Sequence, residues 1–260
     1  MSSTELLVIG NWKMNGSRAA LADFARAFSG VSIGCDAGLC VPFTLLAAAQ
    51  SALLGTELRW GAQDCSEEAE GAFTGDVSAA MIAECRASYV IVGHAERRRV
   101  HAESEGQVAN KVQRVLACGM TPIVCIGESS EERDANQTKA VLRRQLMQVI
   151  RALNHDIRSV VIAYEPLWAI GRGQIASPGL IEEAHGFIAD AITFNAKHTA
   201  HGVRIIYGGS VTPGNAAAVF TRRLVGGALV GGASLRAEDF MAICHAAATC
   251  AQQRLAAWTQ

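Results

Sequence analysis

Eight short apolar runs rich in β-branched residues punctuate this chain and limit what it can fold into. They are Leu6-Ile9, Leu39-Val41, Leu58-Ala62, Tyr89-Val92, Pro122-Ile126, Val160-Tyr164, Val203-Tyr207 and Ala228-Val230, and they recur at intervals of roughly 32 residues. Most are continuous rather than alternating, the pattern of parallel strands covered on both faces. Between them lie segments of helical spacing. Val141, Leu142, Leu146, Val149, Ile150 and Leu153 share one stripe, and Ile181, Ala184, Ile188 and Ile192 share another. Ser104 with Gln107 and Ser129 with Glu132 match a capping box, while Ser177-Pro178 and Thr212-Pro213 place a cap before a proline at the first helical position. Eight strand–helix units in 260 residues predict an α/β fold, a single (β/α)8 barrel. A doubly wound open sheet usually has fewer strands and a recognisable nucleotide loop. No linker, low-complexity tract or charge block divides the chain, so residues 1–260 read as one barrel domain.

Half of the residues are hydrophobic, which suffices for a sizeable core, and 23 basic side chains nearly cancel 24 acidic ones. With a pI near 6.7 and only Arg97, Arg98 and Arg99 clustered, there is no electrostatic footprint for nucleic acid or an anionic membrane. The expected partner is a small molecule. Met1 to Glu5 lack the character of a secretory leader, and no window approaches the roughly eighteen apolar residues of a membrane span, so a cytoplasmic protein is expected. The cysteines at 35, 40, 65, 85, 118, 125, 244 and 250 form no C-x-x-C pair and no zinc-ligand spacing. They are expected to be reduced structural thiols, with Cys125 packed in the core. No metal and no cofactor is expected.

In such a barrel the reactive groups come from loops at the carboxyl ends of the strands. Asn11, Trp12 and Lys13 follow the first run, His94 and Glu96 the fourth, and Glu165 the sixth. Gly208-Gly209-Ser210 follows the seventh and Gly231-Gly232-Ala233-Ser234 the eighth. A single Gly-Gly reads as a tight turn, but pairs after strands seven and eight fall where this fold builds a phosphate cradle from backbone N–H groups. Gly71-Ala72-Phe73-Thr74-Gly75 and Gly226-Gly227 carry no comparable argument and read as turns or contact loops.

Glu165 is either a structural carboxylate or a general base whose pKa rises when a loop closes over it. The loop behind it, Pro166 to Gly173, has an apolar tip of Leu167, Trp168, Ala169 and Ile170 that is costly unless it covers something, so it reads as a lid. His94 is a structural histidine or, opposite that base, an acid whose ring a helix amino terminus would keep neutral. Asn11 and Lys13 flank Trp12 with period two, which would point both side chains into the barrel mouth. A cation there would neutralise a phosphate or a developing enolate oxygen. A carboxylate, an imidazole, a lysine and a phosphate cradle together suit proton abstraction beside a carbonyl, an isomerisation that needs no cofactor.

The segments Gly10-Asn11-Trp12-Lys13-Met14-Asn15-Gly16, Gly93-His94-Ala95-Glu96-Arg97-Arg98, Val124-Cys125-Ile126-Gly127-Glu128, Tyr164-Glu165-Pro166-Leu167-Trp168-Ala169-Ile170-Gly171, Tyr207-Gly208-Gly209-Ser210-Val211 and Leu229-Val230-Gly231-Gly232-Ala233-Ser234-Leu235 resemble the triosephosphate isomerase family's motifs in the family's order. The resemblance spans the chain and implies a TIM barrel without metal or cofactor. It implies Glu165 as the base shuttling a proton between adjacent carbons, and His94 as the neutral electrophile serving the two oxygens. Lys13 and Asn11 would hold the substrate, supported by Glu96, and the backbone of Gly171, Ser210, Gly231 and Gly232 would bind its phosphate. Pro166 through Ile170, with Gly173, would form the lid. The family is a homodimer in which the loop carrying Thr74 inserts beside the partner's active site.

Several positions depart from the family's usual pattern. Ala95 stands in place of a serine that commonly holds the base, and Arg172-Gly173-Gln174-Ile175 replaces the usual lid end. Gly226 and Ala189 replace an aspartate and its arginine, which removes both ends of one ion pair and strands no charge. The expected reaction interconverts dihydroxyacetone phosphate and D-glyceraldehyde 3-phosphate. The alternatives are isomerisation of a four-carbon ketose phosphate such as erythrulose 4-phosphate, and a non-catalytic barrel that binds phosphorylated metabolites.

Overall fold

A computed structural model describes residues 5–169, 176–196 and 203–258. Its eight strands are β1 (Leu7–Asn11), β2 (Asp36–Val41), β3 (Arg59–Ala62), β4 (Tyr89–Val92), β5 (Thr121–Ile126), β6 (Val161–Tyr164), β7 (Arg204–Tyr207) and β8 (Gly227–Val230). All pair in parallel in sequence order, and β8 closes on β1. The chain therefore forms the expected (β/α)8 barrel.

Strand alternation sorts the apolar side chains into two cores. Leu7, Ile9, Ile91, Ile123, Val161 and Ala163 belong to a cluster inside the barrel. Leu6, Val8, Val90, Val92, Ile162 and Tyr164 belong to the larger cluster packed on the helices. This two-sided burial is why the runs look continuous in sequence. It also sets up the site: the inner parity of Leu7 and Ile9 continues to Asn11, and that of Val161 and Ala163 continues to Glu165.

Both predicted capping boxes are present, on helices Glu105–Ala117 and Ser130–Asp134. Ser177 caps helix Pro178–Asn195 with proline at its start. The stripes of helices Thr138–Ala152 and Pro178–Asn195 are buried as expected, except that Leu153 lies just past its helix as the C-cap residue and is only half-buried. Thr212-Pro213 differs. Asn215 Oδ1 accepts the Thr212 N–H at 2.8 Å, closing a turn, and the helix Ala216–Phe220 begins only after it.

The Gly226-Gly227 pair is more than a turn. Gly227 opens β8 at φ +150°, and a Cβ there would lie 1.9 Å from the Leu7 carbonyl oxygen. Only glycine permits the approach that closes β8 on β1. Beside it, a Cβ on Gly226 would meet Arg204 Cγ at 2.8 Å, and the Arg204 guanidinium pairs with Asp36 at 2.8 Å. A different ion pair thus occupies the neighbourhood of the missing one.

Candidate active site

Glu165 follows β6 directly, and its N–H donates to the Ile126 carbonyl at 2.8 Å, which extends the β5–β6 ladder by one residue. The side chain is buried, at 2% exposure. Glycine makes room on both sides of it. A Cβ on Gly127 would lie 1.8 Å from the Glu165 carbonyl oxygen, and one on Gly208 would lie 2.8 Å from Glu165 Cγ.

His94 has the outward parity of Val90 and Val92, so alternation alone would turn it away from the mouth. Gly93 breaks that alternation by adopting φ +66°. Arg98 fixes the turn by donating to the Gly93 carbonyl at 2.7 Å and the Cys125 carbonyl at 3.2 Å while pairing with Glu105 at 2.6 Å. His94 then caps helix Ala95–Val100, its Nδ1 accepting the Glu96 N–H at 3.2 Å. Because Nδ1 carries the lone pair, Nε2 bears the hydrogen, and it lies 3.0 Å from Glu165 Oε1. Glu165 Oε2 accepts the Ala95 N–H at 3.0 Å.

This pairing sets the electrostatics. Burial alone raises the Glu165 pKa, but the charge and hydrogen bond of His94, the Ala95 N–H and the Cys125 thiol outweigh it and hold the carboxyl below its ordinary value. Burial lowers the His94 pKa, yet Glu165 and Glu96 outweigh burial and Lys13, and the ring is held above its ordinary value. The expectation of a depressed imidazole is therefore overturned while the carboxylate rests against it. The helix terminus fixes the tautomer, and the buried carboxylate fixes the direction of the shift. With Ala95 supplying no hydroxyl, the imidazole takes over one oxygen of the base.

Asn11, 5% exposed, ends β1, and its Oδ1 accepts the Lys13 N–H at 3.0 Å. Lys13 has φ +54°, so the period-two reasoning fails there: a turn, not a strand, brings the two together. Lys13 Nζ pairs with Glu96 at 2.7 Å, and a Cβ on Gly231 would lie 3.6 Å from Lys13 Cε, so the cation stands beside the second glycine pair. Gly232 opens a 3-10 turn, Gly232–Leu235, with nothing within 4 Å of a would-be Cβ, which leaves open space at that backbone. Ser210 is half-buried after β7, its carbonyl bonded by Asn215 at 2.9 Å.

Of the lid segment, Leu167–Ala169 forms a 3-10 turn after Pro166, with Trp168 half-buried and Ala169 buried. Ile170, Gly171 and Gly173, with the departures Arg172, Gln174 and Ile175, lie outside the described residues. Thr74 is exposed in the loop after β3 and takes no part in the contacts just described, and Phe73 beside it is 47% exposed.

Two contributors went unrecognised in the sequence. Cys125 belongs to the inner core, and its thiol also helps to hold the Glu165 pKa down. The signal was its register opposite Ala163, two residues before Glu165 on the same parity. Glu128, fully buried, accepts from Trp168 Nε1 at 2.9 Å and from Tyr164 OH at 3.1 Å. The Arg133 guanidinium stacks 4.2 Å from the Trp168 ring centroid, so the start of the lid is latched to β5 and its following helix. Burial raises the Glu128 pKa against these donors.

A closed parallel barrel with a buried carboxylate bonded to an imidazole at the carboxyl ends of its strands defines a (β/α)8 protein equipped for acid–base chemistry. The sequence model of triosephosphate isomerase matches residues 6–247, and the chain belongs to the triosephosphate isomerase family. It is 47% identical over 246 residues to the triosephosphate isomerase of Coxiella burnetii (strain Dugway 5J108-111), covering 91% of this chain and 95% of that one. It is 48% identical over 240 residues to that of Albidiferax ferrireducens, covering 91% and 96%. It is 46% identical over 245 residues to that of Azoarcus sp. (strain BH72), covering 94% and 100%.

Proposed function

We propose that this chain is an aldose–ketose isomerase that interconverts dihydroxyacetone phosphate and D-glyceraldehyde 3-phosphate through an enediolate. The observation that carries this reading is the His94–Glu165 pair at 3.0 Å, set beside Asn11 and Lys13 in one barrel mouth. Substrate arriving there exchanges that bond for two others. His94 Nε2–H turns to the substrate oxygens, and Glu165 faces the carbon beside the carbonyl. Released from the imidazole, the carboxylate keeps its burial and loses its main acidifying partner, so its pKa rises and it becomes a stronger base. Glu165 takes the proton from one carbon and returns it to the next. Lys13 and Asn11 hold the developing oxyanion, with Glu96 positioning Lys13. Backbone groups of Gly171, Ser210, Gly231 and Gly232 bind the phosphate, and Pro166 through Ile170, with Gly173, exclude water. No metal or cofactor takes part.

The protein is further proposed to act in the cytoplasm as a single-domain homodimer, with Thr74 inserted beside the partner subunit's site. Support comes from the exposure of Phe73 and from Met14, 96% exposed next to Lys13. No described helix is long and apolar enough to cross a membrane. The test compares kcat/KM on the three-carbon and four-carbon ketose phosphates, with sedimentation across a dilution series. The proposal expects a clear three-carbon preference and a dimer; a four-carbon preference or a fully active monomer overturns it.

A further inference from the structure

Gln145 is a buried amide that takes no part in the steps above. It lies on helix Thr138–Ala152, on the buried stripe that also carries Val141, Leu142, Leu146 and Val149. Burying a primary amide among apolar side chains is costly unless both of its ends are bonded. Here both are bonded, and to the same residue. Gln145 Oε1 accepts the Gly127 N–H at 2.8 Å, and Gln145 Nε2 donates to the Gly127 carbonyl at 3.1 Å. The side chain thus makes the pair of bonds that a residue of a neighbouring strand would make.

The clamped residue touches the base. Gly127 lies one residue past β5, just beyond Ile126, whose pairing with Tyr164 ends the β5–β6 ladder. A Cβ on Gly127 would lie 1.8 Å from the Glu165 carbonyl oxygen and 2.7 Å from its carbonyl carbon, so the two backbones are in direct contact. Hydrogen bonds flank that contact: Glu165 N–H donates to the Ile126 carbonyl at 2.8 Å, and Leu167 N–H donates to the Glu128 carbonyl at 3.1 Å. The place of the Glu165 backbone therefore depends on where Gly127 stands, and Gly127 stands where Gln145 holds it. Arg98 grips the Cys125 carbonyl at 3.2 Å, so two helices fix the end of β5.

We propose that Gln145 is a positioning residue for the reaction, acting through Gly127 to fix the Glu165 carboxylate against the substrate carbon. The inference rests on the reading of Glu165 as the base. If Gln145 served only to dock its helix, its loss would lower stability and leave the chemistry unchanged. Positioning has a different consequence. With the clamp open, Gly127 moves and the Glu165 backbone against it follows, and a misplacement of about 1 Å costs about 100-fold in rate. Proton abstraction suffers because the carboxylate must stand within hydrogen-bond reach of the proton it takes. Phosphate binding, assigned to the loops after β7 and β8, is spared.

The test uses Gln145→Met, which keeps the length and loses both bonds, and Gln145→Glu, whose carboxyl reproduces the donor–acceptor pair only when protonated. Both are assayed beside the parent and Glu165→Gln for kcat, KM, affinity for inorganic phosphate, and the isotope effect of deuterium at the abstracted position. For Gln145→Met, kcat should fall about 10- to 100-fold while KM and phosphate affinity stay within about threefold of the parent. Its isotope effect on kcat should exceed the parent's, because proton abstraction becomes the slow step. Burial raises the pKa of a carboxyl, so Gln145→Glu gains its O–H donor as pH falls, and its kcat relative to the parent should rise from about pH 9 to about pH 6. A Gln145→Met that loses stability alone, with parental kcat and isotope effect, would overturn the proposal, as would a Gln145→Glu ratio that is flat with pH. Either variant decides if the other does not fold. A Glu165→Gln of parental kcat overturns the reading of the base and this proposal with it; an inactive Glu165→Gln beside unaffected Gln145 variants overturns the proposal alone.

Discussion

His185 gives a prediction whose size follows from the structure. Its ring is fully buried, Nδ1 lies 3.1 Å from the Leu224 carbonyl, and Nε2 has no partner among the described residues. Tyr164 packs edge-on at 5.9 Å, and no charged side chain among the described residues contributes to the shift of the ring's pKa. Burial drives its pKa down from 6.5 to about 4, against a smaller upward pull from the Leu224 carbonyl. In the unfolded chain the ring takes a proton near pH 6.5, and in the folded chain only near pH 4. Between these values the unfolded state binds more protons, so stability falls as pH falls and the contribution is constant above about pH 6.5. At about 1.4 kcal/mol per pH unit, the full loss on reaching pH 4 is about 3 kcal/mol. His185→Gln removes this term while keeping a side-chain amide for the Leu224 carbonyl. Urea unfolding at fixed protein concentration, repeated from about pH 8 to about pH 4.5, reads the difference directly. Parent and variant should run parallel above pH 6.5 and converge by up to about 1.4 kcal/mol per unit below it. Profiles that stay parallel throughout would refute the assignment of a buried neutral imidazole.

The remaining expectations concern the architecture around the base. Gly127→Ala drives a methyl group into the Glu165 carbonyl at 1.8 Å, and a displacement of about 1 Å should lower kcat/KM about 100-fold, checked on protein of unchanged circular dichroism. Glu128→Leu frees Trp168 and Tyr164 of their shared acceptor; kcat and KM should shift together by about tenfold, and unchanged kinetics would show that the latch has no part in lid motion. Lys111 bonds both Asp64 and Glu103 in a buried cluster that Arg97 joins. Lys111→Met leaves those carboxylates without their closest cation and should cost about 3–5 kcal/mol, read as a fall in Tm of about 10 °C.

The barrel was readable because its strands are buried on both faces and its helices carry plain caps, signals that depend on neighbours in sequence. Glu165 was readable for the same reason, since it extends the inward parity of Val161 and Ala163. His94 was readable as a strand-end histidine, but its aim depends on the left-handed turn at Gly93, and its raised pKa depends on a carboxylate 71 residues away in sequence. Lys13 joined the site through a turn rather than the extended spacing expected of it. Glu128 and Cys125 were visible as motif letters, yet their partners come from β6 and the lid start, and no local pattern announces a cross-strand contact. Thr212-Pro213 misled because Asn215 offers a side-chain oxygen that competes with helix initiation.

The central claim is that Glu165 is the base and that the phosphate is held elsewhere. Its most direct test is Glu165→Gln, which keeps the shape and removes the basicity, assayed on dihydroxyacetone phosphate alongside binding of inorganic phosphate. The account predicts a fall in kcat of about 1,000-fold or more with phosphate affinity within about threefold of the parent. A kcat within tenfold of the parent would contradict it.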